Sequence, residues 1–176
     1  MLPWRGKGEI VLIGHQPYGR PFSVGGVPVD RSEWFREAVV EVCKRWGGPV
    51  VFKPHPFEGA GGDTGFRELN SLVGGRMEYW RGSLVEVAAR GVHALVTYDS
   101  NVAVDAVLLG IPVFVGGCTM ADRVASKDLS ALMDPFMPDR VEWAHWLAWC
   151  QWRRGEMVEG LPWKVLVEEW RGGEAA

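Results

Sequence analysis

The stretch His93–Gly117, HALVTYDSNVAVDAVLLGIPVFVGG, decides how the chain folds. Ala94-Leu95-Val96-Thr97-Tyr98 is a short, β-branched apolar run with the composition of a buried strand. Asp99 and Ser100 follow, and either side chain can cap a helix. Asn101–Leu109 then sets Val104, Val107 and Leu108 at helical spacing, and Gly110 stops it. Ile111-Pro112 turns the chain into a second apolar strand, Val113-Phe114-Val115. Strand, helix and strand in this order predict parallel neighbours joined by a right-handed crossover. Ser100 then lies at the carboxyl end of a strand and the amino end of a helix. Open α/β sheets bind ligands at such points, and free N–H groups at a helix start favour anions.

Outward from this unit the alternation recurs. Glu9–Ile13 (EIVLI) reads as the first strand. The Gly- and Pro-rich run after it, GHQPYGRPFSVGG, is a candidate ligand loop but not a GxGxxG fingerprint. His15 and Gln16 either reach a ligand or cap local backbone. Asp30 or Ser32 starts a helix running to about Trp46. Trp34, Phe35, Ala38, Val39, Val42, Cys43 and Trp46 form its apolar stripe, and Cys43 reads as a small buried hydrophobe. Pro49–Lys53 is the second strand and leads into Pro54-His55-Pro56. Prolines on both sides fix the backbone around His55. Its ring either faces a phosphate or hydrogen-bonds to backbone, and Lys53 adds charge nearby. Glu58–Thr64 reads as a flexible connection, Phe66–Val73 as a short helix and Arg76–Trp80 as a short strand. Ser83 and Glu86 make a capping-box pattern for a helix through Arg90. The predicted order is β-α-β-α-β-α-β-α-β, a doubly wound parallel α/β sheet of about five strands.

Beyond Val115 the chain reads mostly as loop to about residue 138, with one or two helical turns. Thr119, Asp122 and Arg123 there are either ligand groups or members of a solvated loop. Asp139 starts a helix with Trp143, Trp146, Trp149 and Trp152 at steps of three, and a second helix follows Pro162 with Trp163, Val167 and Trp170. This Trp stripe either packs on the sheet or makes a partner surface. The last residues, 172–176, should fray. The reading is thus one domain over 1–176, with a core at about 9–117 and a Trp-rich helical extension at 139–171.

The totals narrow the function classes. The 176 residues are enough for one domain with a real core. A net charge of -3 gives no general electrostatic case for nucleic acid or an anionic membrane. No apolar run has the length of a bilayer span, and the start, MLPWRGKGEIVLIG, lacks the pattern of a signal peptide. Cys43, Cys118 and Cys150 are too widely spaced for a disulfide framework or a metal site, so a reducing cytoplasm is the expected location. The unusual total is 10 Trp, concentrated in the last third.

At the carboxyl ends of the predicted strands, Gln16, Lys53-Pro54-His55-Pro56 and Asp99-Ser100 come together. Asp105 lies five residues after Ser100 on the same helix. A carboxylate there can accept from ribose hydroxyls while the Ser hydroxyl and helix N–H groups take phosphate. Taken singly, Ser100 can equally be an ordinary cap and Asp105 a residue on a solvated face.

The KPHP block and TYDSNVAVDAVLLGIPVF together resemble the nucleotide-binding, Rossmann-like half of GT-B glycosyltransferases. The nearest resemblance is to the capsule polysaccharide biosynthesis/export family, whose members transfer Kdo, and to bacterial sialyltransferases with HP and Ser motifs. The HP motif falls on His55 and Pro56, the Ser motif on Ser100, and the family's acidic residue, commonly Glu, on Asp105. Gly14-His15-Gln16 loosely echoes the capsule family's glycine–glutamine strand end. HWLAWCQWRRGEMVEGLPW is similar to short phage-encoded members.

The resemblance implies a metal-independent, nucleotide-sugar-dependent transferase with a CMP- or UDP-linked donor as substrate and no further cofactor. His55 would be the catalytic residue, stabilising the leaving phosphate. Gln16, Lys53, His55, Pro56, Ser100, Asn101 and Asp105 would bind the donor. GT-B enzymes place their site between two such domains, and this chain has room for one. A second copy or a partner chain, docked through the Trp-rich helices, would supply the other wall. Two alternatives stay open: a non-catalytic module that binds a nucleotide or sugar nucleotide, and an interaction protein with a degenerate site.

Overall fold

Five short apolar runs become five parallel strands in the computed structural model, which describes residues 1–14, 22–24, 27–55, 62–165 and 167. They are β1 (Glu9–Ile13), β4 (Val50–Lys53), β5 (Met77–Tyr79), β6 (Val92–Thr97) and β7 (Val113–Val115), in the spatial order β5-β4-β1-β6-β7. Every neighbouring pair is parallel. The connections carry helices: α1 (Arg31–Arg45), α2 (Gly62–Leu72), α3 (Leu84–Arg90) and α4 (Val102–Leu108). This is a Rossmann-like α/β fold, as the alternation of strand and helix signals predicts.

Strands buried on both faces need apolar side chains at every position, not at alternate ones. All five residues of β1 and all six of β6 are buried. Ile10, Leu12, Val50, Phe52, Ala94, Val96 and Phe114 share one cluster with Phe35, Ala38, Val39, Val42 and Cys43 of α1. The predicted stripe of α1 is therefore its core face. Asp30 caps this helix, its Oδ1 accepting from Ser32 N–H and Glu33 N–H at 2.9 and 3.1 Å.

Several readings need correction. A two-stranded antiparallel pair, β2 (Phe22–Val24) and β3 (Val27–Val29), lies between β1 and α1, where the sequence reads as loop. Gly62–Thr64, read as flexible connection, is the first turn of α2. Phe66 and Leu69 pack on the core cluster and draw the helix back by a turn. The chain divides into two compact units, Met1–Pro138 and Asp139–Ala176. In the second, α5 spans Val141–Trp149 and stops before Trp152, while α6 (Arg154–Val158) is a helix the sequence reading lacks. Residues 161–165 are helical, so the helix predicted to follow Pro162 begins just before it. Trp143 is buried, whereas Trp149 and Trp163 are 59% and 71% exposed, so the tryptophans do not form one buried stripe. Among the described residues, no helix is long and apolar enough to cross a membrane.

Candidate functional site

The strand order reverses beside β1. From β1 the chain moves outward through β4 and β5, then returns to β6 on the other side and continues to β7. At such a reversal the flanking connections leave on opposite faces and a crevice opens at the carboxyl ends of the strands. A cleft of about 500 Å³ lies there, within the first unit. Ile13 from the end of β1, Lys53-Pro54-His55 from β4 and Asp99-Ser100-Asn101-Val102 after β6 line it, with Asp105 of α4 and Arg31 of α1.

Of the residues expected at the site, Lys53, His55, Ser100, Asn101 and Asp105 share this cleft. His15, Gln16 and Pro56 lie outside the described residues. Thr119, Asp122 and Arg123 are not among the cleft's lining residues. Asp122 instead closes its own turn, its Oδ1 accepting from Thr119 N–H at 3.0 Å, and it pairs with Lys127.

The start of α4 is more occupied than the sequence suggests. Ser100 Oγ accepts from Val102 N–H at 3.2 Å. The N–H groups of Ala103 and Val104 donate to the carbonyls of Ser100 and Asn101, each at 3.0 Å. Ser100 is thus a local cap, and its hydroxyl proton is still a donor, since a hydroxyl can accept and donate at once. Asp105 is exposed, one turn into the helix.

Arg31 is the cleft residue that sequence reasoning missed. Its Nη2 donates to Asp99 Oδ2 at 2.8 Å, with both side chains mostly covered. The guanidinium also lies 5.8 Å from the centre of the Tyr98 ring. Trp34 meets the same ring edge-on at 5.3 Å and lies so close over Gly116 that a Cβ there would be 2.3 Å from it. The available signal was positional: Arg31 opens the first helix after β1, directly behind its Asp30 cap.

Lys53 turns toward a second, smaller hollow of about 360 Å³, lined by Lys53, Pro54, His55, Tyr79, Arg81, Gly82 and Ser83. Its Nζ donates to Gly82 O at 2.6 Å. Burial pushes the Lys53 pKa below its usual value, with Glu86 acting in the opposite sense. The Gly82 turn is itself fixed by the predicted capping box, in which Ser83 and Glu86 exchange backbone and side-chain hydrogen bonds. His55 therefore lines both hollows. Among the described residues, no cluster of three or more His, Cys, Asp or Glu is placed to hold a metal ion. No protein-family model matches the chain, and no curated protein matches it.

Proposed function

We propose that this chain binds the nucleotide of a sugar nucleotide in the cleft at the strand-order reversal and serves as the donor half of a GT-B-like glycosyltransferase. One observation carries the reading: His55, Ser100, Asn101 and Asp105, which come from two separate strand ends, line one cleft at the place where such sheets take ligands. In this reading Ser100 donates its hydroxyl to a phosphate oxygen. Asp105 accepts from a ribose hydroxyl. His55 stabilises the charge that develops on the leaving phosphate, the step that makes it catalytic. The donor is CMP- or UDP-linked, and the cleft's own cations, with no metal, meet its charge. A second copy or a partner chain provides the acceptor wall, as the resemblance to two-domain enzymes implies.

Calorimetry with CMP-, UDP- and GDP-sugars tests the binding step. Binding of one of them is expected, with His55→Ala and Ser100→Ala each weakening it by roughly ten- to a hundredfold, the loss of one charge-assisted hydrogen bond at about 1.5–3 kcal/mol. Unchanged affinity in both variants rejects the placement. Chelator should leave the affinity unaltered, and a dissociation constant that collapses with EDTA would reject the metal-free reading. A released-nucleotide assay on the same preparation separates a transferase from a binding module.

A further inference from the structure

We propose that the smaller hollow is an oxyanion site in its own right: it takes a phosphate or carboxylate group of a bound molecule, with Lys53 as the cation that meets it. This goes beyond the nucleotide reading, since it concerns the hollow between β4, β5 and the start of α3, whatever the larger cleft holds.

The hollow lies at the carboxyl ends of two neighbouring strands. Lys53 is the last residue of β4 and Tyr79 the last of β5, and the Arg81–Gly82–Ser83 turn into α3 completes the lining. Among the described residues, that lining holds two cationic side chains and no carboxylate. The larger cleft differs, because Asp99 and Asp105 line it. In a chain of net charge -3, a lining of this sign is a local departure. Positive charge collected on a concave surface raises the local concentration of anions. The volume of about 360 Å³ falls in the range of small-molecule sites, roughly 300–1,000 Å³. Pro54 and the Tyr79 ring then offer apolar surface to whatever carries the acidic group.

Lys53 has charge and donors to offer. Its ammonium carries three N–H donors, and Gly82 O takes one at 2.6 Å. That carbonyl accepts a hydrogen bond but brings no countercharge. Among the described residues, no carboxylate makes an ion pair with Lys53. Glu86, whose charge acts on it, is committed to the capping box. Its Oε2 accepts from Ser83 N–H and Oγ at 2.6 and 2.9 Å. Burial meanwhile disfavours the ammonium form. An entering anion relieves this state, because its charge replaces the water that burial removed and favours the ammonium. The bond to Gly82 also holds Nζ at the wall, so little rotamer freedom is left to lose on binding. The Arg81 guanidinium, 5.3 Å from the centre of the Tyr79 ring, adds a second positive charge.

The probes are inorganic phosphate and acetate, each titrated into the full chain and followed by amide chemical shifts. At least one should saturate, with the shifts gathered on Lys53 and Arg81–Ser83. Lys53→Met should weaken binding tenfold or more. Lys44→Met, on the exposed side of α1, should match the wild type. Phosphate alone marks a phosphate ester as the ligand, acetate alone a carboxylate, and both together a site that reads only the oxyanion. Saturation by neither, shifts confined to other segments, or unchanged affinity in Lys53→Met overturns the proposal. If Lys53→Met fails to fold, the wild-type protein decides. The ε-methylene signal of Lys53 reports its titration, and the anion should move the midpoint upward, since an adjacent negative charge favours the ammonium. The other titratable groups there are His55, Tyr79 and Arg81 of the lining and Glu86 bound to Ser83. A midpoint that stays or falls overturns the proposal, because a lysine that merely braces the Gly82 turn predicts no rise. Sugar nucleotides titrated in parallel report on the larger cleft through the amides of Ser100 and Asn101, so failure of either reading is seen without the other.

Discussion

Cys43 lies on the inner face of α1 among the side chains of the core cluster. Burial pushes its thiol pKa up, and Arg76, whose guanidinium donates to Cys43 O, works in the opposite sense. The folded chain thus keeps a proton that the unfolded chain releases. Its contribution to stability is complete below the ordinary thiol value of about 8.5 and is lost as the pH climbs through the raised one. Denaturant melts between about pH 8 and 10 should therefore fall less steeply for Cys43→Val than for the wild type. Equal slopes would remove the thiol as a cause. In the same protein Cys118 and Cys150 are exposed, so a thiol reagent should titrate those two quickly and Cys43 only on unfolding. Gly116 gives a second residue-scale test. A methyl group there meets the Trp34 ring at 2.3 Å, so Gly116→Ala should destabilise by about 1–3 kcal/mol and disturb the wall that carries Asp99. A stability equal to wild type would show that Trp34 moves aside freely. At this scale the sequence made the placement of His55 and Ser100 legible, because each lies just beyond an apolar run with the composition of a strand, and Asp105 followed from its position on the helix after Ser100. Arg31 was hidden because an arginine in the first turn of an amphipathic helix looks like any surface charge. Only the sheet's closing geometry brings it against Asp99.

The turn from Trp80 to Ser83 shows how one helix cap can matter at a distance. Ser83 and Glu86 close a capping box at α3, and Gly82, one residue earlier, receives the Lys53 ammonium. Ser83→Ala should cost about 1 kcal/mol, the usual value of an N-cap, and Lys53→Met should loosen the same turn from the other side. The double variant should cost less than the sum of the two, since both act on one turn; full additivity, measured by urea unfolding, would uncouple them. The box was readable from SLVE alone because its partners are local. The β2–β3 pair was not. Three-residue strands carry too few side chains to show a period of two, and Pro28 argues against a strand. The start of α2 was missed for the opposite reason: three glycines, Gly59, Gly61 and Gly62, argued for a loop, while Phe66 and Leu69 packing on the core extended the helix back to Gly62.

In the unit Met1–Pro138, the parallel order β5-β4-β1-β6-β7 brings the described cleft residues together at the carboxyl ends of the strands of one sheet. In the function proposed above, a sugar nucleotide held there would be approached from outside the sheet, and glycosyl transfer would need a second surface to bring the acceptor and exclude water. The unit Asp139–Ala176 offers a means of recruiting one. It leaves Trp149 59%, Met157 58%, Val158 81% and Trp163 71% exposed, and large apolar and aromatic side chains in that state are characteristic of surfaces that associate. A symmetric pair is the simplest arrangement by which one chain gains a partner surface. Sedimentation at micromolar concentration should therefore show a species at twice the chain mass of 19.6 kDa, and Trp149→Ser with Trp163→Ser should shift it toward monomer while leaving nucleotide affinity intact. Turnover should follow the associated form, rising with protein concentration more steeply than in direct proportion. A clean monomer that turns over its sugar nucleotide at full rate would defeat the idea, because the second wall would then have to come from this one chain.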